Sequence, residues 1–501
     1  MDIAIIVIYL AAMLGFGFWG RTRVKNSADF LVAGRRLGPT LYTGTMAAVV
    51  LGGASTVGGV GLGYKFGISG MWLVVAIAVG LLLLSLLFAG RIQKLKVYTV
   101  AQMLHLRYGV DATSASGIVM LAYTLMLSVT STIAYATIFN VLFGTDQTVS
   151  VIIGGAIVLL YSAIGGMWSI TITDMVQFVL KTIGVFFLML PFAWAHAGGY
   201  EGIVKRLGTS HFDLGAIGTG TIVTFFVVYS FGMLIGQDIW QRVFTARTPR
   251  VAKWGGTAAA VYCLLYGVAG ALIGTAAAAF LPELSNKNDV YAAVAEAILP
   301  VGVAGLVLAA AVAAMMSTAS GALLAAATVA RADVMPLLRR LTGRRPVAPE
   351  GNPEHDVRAN RWWVAALGLI VVVIAALLND VVSALTVAYD ILVGGLLVPI
   401  LGGFVWRRAT GTGALWAMGA GTIATLGTMA IVGDVLANEP IYVGLGASLV
   451  AYIVASLLSP RTPAAVMAVW DARQKGEPEP ATASDAPEDE PAGEASPSPL
   501  R

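Results

Sequence analysis

Two adjacent hydroxyls, Ser317 and Thr318, lie in the middle of a long run of small apolar residues, Ala309 to Gly321. Nothing in hydrocarbon rewards a hydroxyl, so the pair must face protein, water or an ion. Two neighbouring hydroxyl oxygens and a backbone carbonyl one turn earlier form half a cage for a small hard cation. The competing reading is back-bonding of each hydroxyl to the carbonyl four residues earlier.

A second stretch sharpens the first. Leu51 to Gly63 reads Leu-Gly-Gly-Ala-Ser-Thr-Val-Gly-Gly-Val-Gly-Leu-Gly. So many glycines weaken a helix. In a membrane an unwound segment is tolerated where it lines a cavity, and its freed carbonyls then bind ligands. Close packing of small residues explains the same glycines equally well. Asp174 lies near the start of an apolar run. It is either a first-turn acid favoured by the helix dipole or a station for a passing cation. Gln237, Asp238, Gln241 and Arg242 end another run, where Arg242 reads as an interfacial anchor.

The elements that must hold these residues follow from composition. Of 501 residues, 58% are hydrophobic and 12% charged, with mean hydropathy +0.82. A soluble domain has about 25% charged residues. Apolar runs of about 20 residues recur along nearly the whole chain, each a candidate span. The spacing predicts an all-α polytopic membrane protein with about thirteen spans and no β-barrel. The predicted spans cover approximately 2–20, 40–64, 70–90, 115–142, 147–165, 172–197, 217–239, 252–281, 301–330, 361–378, 382–406, 412–432 and 441–459. The first has no basic leader or small-residue cleavage site and is expected to be retained.

Connecting segments alternate in charge. One set carries Arg21 to Arg36, Arg91 to Arg107, Arg242 to Lys253, Arg331 to Arg345, Arg407, Arg408 and Arg461. The other is poor in Lys and Arg and carries Asp146, Glu201, Asp213, Glu283, Asp380, Asp434 and Glu439. The positive-inside rule then places the N-terminus outside and the C-terminus in the cytoplasm of a cell membrane. Residues 1–460 are expected to form the membrane domain, and 461–501 a mostly disordered tail rich in Pro, Ala, Glu, Asp and Ser. The single cysteine, Cys263, permits no intramolecular disulfide. The sequence contains no Gly-Lys-Ser/Thr phosphate loop, Thr-Val-Gly-Tyr-Gly filter or His/Cys metal cluster. ATP-driven transport, a potassium channel and an enzyme are therefore disfavoured, and no organic cofactor or nucleic acid is expected.

Several of these features, in this order, resemble the sodium/solute symporter family. They are Asp29-Phe30-Leu31-Val32-Ala33-Gly34-Arg35, the glycine-rich second span, and Tyr161 with Gly165, Gly166, Thr173, Asp174 and Gln177. Gln237-Asp238 with Gln241-Arg242 follows, then Leu299-Pro300, Gly305 and Ala313 to Thr318. The resemblance implies two five-helix inverted repeats like those of the leucine transporter, at approximately 40–197 and 217–406. It implies a sodium site on Ala48, Leu51, Ala314, Ser317 and Thr318, with Asp174 on the route by which sodium leaves. Substrate contacts are implied at Gly52, Ser55, Tyr229, Ser230 and Met233. The stretch Tyr229 to Met233 lacks the amides of sugar-carrying members. Ala319 and Ser320 stand where many members carry an acid, which counts against an extra cation site.

The resulting expectation is sodium-coupled import of a small organic solute, with an amino acid or monocarboxylate preferred. Sodium is the expected coupling ion. The other expected partners are the solute and the lipid bilayer, with no obligate protein partner. A proton-coupled or uncoupled carrier and a membrane sensor remain as alternatives.

Overall fold

The structure, a computed structural model, describes residues 2–281, 284, 287–343, 353–378, 381–434 and 437–478. The described residues are helical, and a single bridge pairs Leu37 with Ala246. The helices used below are α1 (Asp2–Arg21), α2 (Pro39–Val50), α3 (Gly59–Phe66), α4 (Trp72–Leu83), α5 (Val110–Phe143), α6 (Gln147–Thr182), α7 (Phe231–Ile235) and α8 (Gln237–Thr245). They continue with α9 (Pro249–Ala278), α10 (Val303–Val329), α11 (Pro353–Leu377), α12 (Val381–Val405), α13 (Gly411–Val432), α14 (Glu439–Leu458) and α15 (Ala464–Lys475).

Ten described helical stretches are long and apolar enough to cross a membrane, or eleven if a bent pair is counted as one span. The difference from thirteen lies in how long stretches are divided. Gln147–His196 has 50 residues, and at about 1.5 Å per residue it exceeds twice the ~30 Å hydrocarbon core. Gly166 interrupts it with φ 52° and ψ −139°. No L-residue adopts that conformation comfortably, so glycine marks the point where the chain changes direction. Gly67, with φ 64°, likewise interrupts Ala54–Lys94. The 12-residue α2 is half of a broken helix and is too short to count alone.

Two breaks matter for function. The first parts α2 from the following helical segment at Leu51 and Gly52. The second parts α7 from α8 at Gly236, with a bend of 44°. Each lies in the opening helix of one of the two expected repeats. Helix α10 runs through the centre, with 89% of its span buried. Its Ala-rich surface allows close approach to α5 and α6. Helices α13 and α14 are only 28% buried and form the periphery.

The segment after residue 460 opens with a helix, α15. Helix α15 packs Trp470 against Phe404, with ring centroids 5.4 Å apart. Asp471 pairs with Arg407 at 2.6 Å, and Lys94 donates to the Lys475 carbonyl. One buried indole and these two caps anchor a helix that composition alone did not distinguish. Residues 479–501, Arg344, Arg345, Glu283 and Asp380 lie outside the described residues.

Candidate functional site

The break after α2 frees carbonyls that water cannot reach, so each needs a partner. The Ala48 carbonyl accepts from Lys181 Nζ at 2.9 Å, and the Leu51 carbonyl from the same ammonium at 3.3 Å. The Val49 carbonyl accepts from Thr318 Oγ1 at 2.6 Å. The Val50 carbonyl accepts from Ser55 Oγ at 3.4 Å. A Cβ at Gly52 would overlap the Thr318 hydroxyl, so glycine is what lets α10 come this close.

The Ala48 and Leu51 carbonyls share the Lys181 ammonium, Thr318 bonds Val49 between them, and Ser317 and Ala314 are buried beside Thr318 on α10. Their oxygens have the chemistry to hold a hard cation. Their present partners are different. Ser317 Oγ donates to Asp174 at 2.6 Å, and Thr318 is tied to Val49. The positive charge at the carbonyls is the ammonium of Lys181.

Asp174 is the hub of the neighbouring crossing. It accepts from Arg242 Nη2 at 3.0 Å, from Ser317, and from Thr45. These donors lie on α8, α10 and α2, so one carboxylate ties four helices. Both members of the Asp174–Arg242 pair are buried to within 1% of full burial. A buried pair of this kind holds together only with further hydrogen bonds, which Thr45 and Ser317 supply. The expected anchor Arg242 is therefore an interior partner. Nearby, main-chain bonds run from Leu37 N–H to the Thr245 carbonyl and from Arg247 N–H to the Leu37 carbonyl. The Arg35 guanidinium adds bonds to the carbonyls of Lys96 and Val97, both at 2.9 Å.

On the other side of the break lie two cavities. The inner one, about 30 Å³, is lined by Gly52, Ser55, Thr318, Met233, Asp238 and Tyr389. It has room for a water or two. The outer one, about 250 Å³, is lined by Phe66, Tyr229, Lys287, Asp390 and Asn438 among others. Ala54 and Leu385 line both. Tyr389 stacks edge-on against Tyr229 at 5.3 Å and against Tyr123 at 5.4 Å. This aromatic cluster stands between the two spaces.

Gly52, Ser55 and Met233 line the inner cavity, and Tyr229 lines the outer. Ser230 lines neither. Its hydroxyl donates to the Ala76 carbonyl on α4 at 2.6 Å. The turn Phe226–Ser230 is a π-helix, and its extra residue rotates Ser230 away from the cavity.

Lys181, Tyr389 and Asp390 were not singled out in the sequence, and Asp238 was read there only as part of the motif that ends its run. Lys181 carried a usable signal, because it is a lone ammonium in the middle of an apolar run. Asp238 carries two roles at once. It opens α8 beside the break and faces the inner cavity, where Tyr123 donates to it at 3.0 Å.

Comparison with known proteins agrees with this architecture. The profile of the Sodium:solute symporter family matches residues 30–421. The sodium/pantothenate symporter of Escherichia coli (strain K12) is 26% identical, covering 93% of this chain and 98% of that protein. The high-affinity proline transporter PutP of Bacillus subtilis (strain 168) is 24% identical, covering 89% and 96%. Among solved structures, a sodium-coupled sialic acid symporter in its outward-open state superposes with a TM-score of 0.78 at 19% identity, covering 92% of this chain and 98% of that one. The fold is thus that of the leucine-transporter class, with two broken helices meeting at the centre. The chain is a multi-pass membrane transporter and not an enzyme, and it belongs to the Sodium:solute symporter family.

Proposed function

We propose that this chain is a secondary symporter for a small amine-bearing solute of amino-acid type. The observation that carries the reading is the pair of carboxylates along one path. Asp390 lines the outer cavity and Asp238 the inner one. Asp390 Oδ1 is buried with no hydrogen-bond partner. The inner cavity offers Asp238 and no cation among its lining residues, which favours a solute ammonium there, while Lys287 shares the outer cavity with Asp390. The helical segment that resumes at Gly53 points its first N–H groups at the break, a place suited to a solute carboxylate. The relative named for proline transport supports the amino-acid class. Gly52, Ser55, Met233 and Tyr389 would enclose the solute, and Tyr229 would meet it on entry.

The inner cavity is too small for an amino acid, so binding requires Tyr389 and Tyr229 to move. Rocking of the two repeats would then open the side sealed by α8. In this reading the segments rich in Lys and Arg face the cytoplasm of a cell membrane, with the N-terminus outside. The outer cavity then faces the exterior. Coupling acts where the break meets α10, at Ala48, Leu51, Ala314, Ser317 and Thr318, with Asp174 on the inner side. Family membership supports sodium as the coupling ion. One observation favours a second reading, in which no free sodium is needed there: the Lys181 ammonium already bonds the Ala48 and Leu51 carbonyls.

The test is uptake into proteoliposomes of radiolabelled proline, alanine, lactate and glucose, with sodium, proton or no gradient imposed. Concentrative uptake of an amino acid alone supports the proposal. Concentrative uptake of lactate or glucose alone, or only equilibration of every probe, refutes it.

A further inference from the structure

We propose that Lys181 is a tethered cation that takes the place of sodium at the helix break. The protein then reaches its solute-competent conformation with no sodium bound at this site. The inference rests on the reading of the break as the coupling site and names what fills it.

Four observations converge. The Lys181 side chain is fully buried on the stretch Gln147–His196, where an ammonium is costly unless it is bonded. Its acceptors are the two carbonyls, of Ala48 and Leu51, that would otherwise face a free cation. A lysine ammonium is a compact point charge with rotatable donors, which suits it to imitate a small cation. Among the described residues, no carboxylate lies within ion-pair distance of it. Its charge is therefore met by the carbonyl end of α2, the negative end of that half-helix.

The hydroxyls tell the same story. A sodium ion here would bridge α2 to α10 through Ser317 and Thr318. That bridge already exists without an ion, because Thr318 bonds Val49 directly. Ser317 is engaged by Asp174, which is in turn paired with Arg242. Lys181 adds a further tie, from the helix after Gly166 to the broken α2. The ionisable groups that face the ammonium are Asp174, two turns back on its own helix, and Cys263 on α9. A sodium ion entering this space would meet a like charge on the same two oxygens.

The prediction is a gain of sodium response when the ammonium is removed. Purified wild type, Lys181→Ala and Lys181→Met are melted in sodium chloride and in potassium chloride at equal ionic strength. A ligand that binds the native state raises the melting temperature by mass action. Wild type is expected to melt at the same temperature in both salts. The variants, checked for a native elution profile in detergent, are expected to melt higher in sodium. Met keeps the length of the side chain, so it remains informative if Ala unfolds. A sodium-specific rise in wild type overturns the proposal, whatever the variants do. Folded variants that ignore sodium overturn it as well, because removing the ammonium should expose the site. No solute enters the assay, so a failure of the proposed solute class leaves this result readable, and the reverse holds too.

Discussion

The two halves of the translocation path are built by opposite rules. On the side of α8, the Asp174 carboxylate and the freed carbonyls all have donors, and the Arg242 guanidinium leaves only its Nε unbonded. Asp174 has Arg242, Thr45 and Ser317, and the carbonyls of Ala48, Val49, Val50 and Leu51 each accept a side-chain donor. On the side of the outer cavity, matching stops. Asp390 leaves an oxygen without a partner, and it lines a space of about 250 Å³ together with Tyr229. A satisfied polar network in a low-dielectric interior fixes one arrangement. An unsatisfied acid beside an open space waits for a ligand. In the proposed reading, the first side holds a conformation and the second reads the solute.

Substitutions can break that contrast, and the largest effect belongs to the matched side. Asp174→Ala leaves the Arg242 guanidinium buried without its carboxylate. Breaking a buried pair in this way costs about 3–5 kcal/mol. The expected outcome is a large fall in melting temperature and in folded yield. Near-native stability would show that the hub does not hold the four helices.

The next effect is steric. Gly52→Val drives side-chain atoms into Thr318 at the closest approach of α2 and α10. Overpacking of this kind costs about 1–3 kcal/mol, and the variant should melt earlier and transport less. Unchanged melting would mean that the two helices are not locked together here.

On the reading side, Asp238→Asn keeps the shape of the inner cavity and removes its charge. A hydrogen bond to a charged group contributes about 1.5–3 kcal/mol. The expected result is about a 10–100-fold weaker affinity for the amino acid found by uptake, with melting little changed. Equal affinity in the variant would remove the carboxylate from the solute site. Ser230→Ala should have the smallest effect of all. It loses the bond to the Ala76 carbonyl, worth about 1 kcal/mol, and leaves solute affinity unchanged. Weakened affinity without a change in melting would return Ser230 to the cavity wall.

How much of this could be read in the sequence depended on whether local rules applied. The break near Gly52 was legible because a glycine run that dense is incompatible with an ordinary helix. Ser317 and Thr318 were legible because hydroxyls in hydrocarbon need a reason. The alternative of simple back-bonding failed, since both hydroxyls bond across helices. Ser230 ends a π-turn, where the 3.6-residue period does not hold, and its bond to the Ala76 carbonyl could not be read from spacing. Lys181 stood in plain view, but its partners lie 133 and 130 residues away. No periodicity brings Lys181 to Ala48 and Leu51; only the packing of the helix after Gly166 against α2 does. Helix α15 was hidden for a similar reason, since its burial of Trp470 depends on a surface made by distant helices.

The numbers also indicate why Lys181 decides the cation question. At an effective dielectric constant of 20, two unit charges 4 Å apart repel by about 4 kcal/mol. That corresponds to roughly a thousandfold loss of sodium affinity at this point. The most direct measurement is therefore equilibrium binding of radioactive sodium to purified wild type, beside Lys181→Met. The account predicts a saturable sodium site on Lys181→Met that wild type lacks. Saturable sodium on wild type that vanishes in Ser317→Ala would contradict it and return the site to the ion.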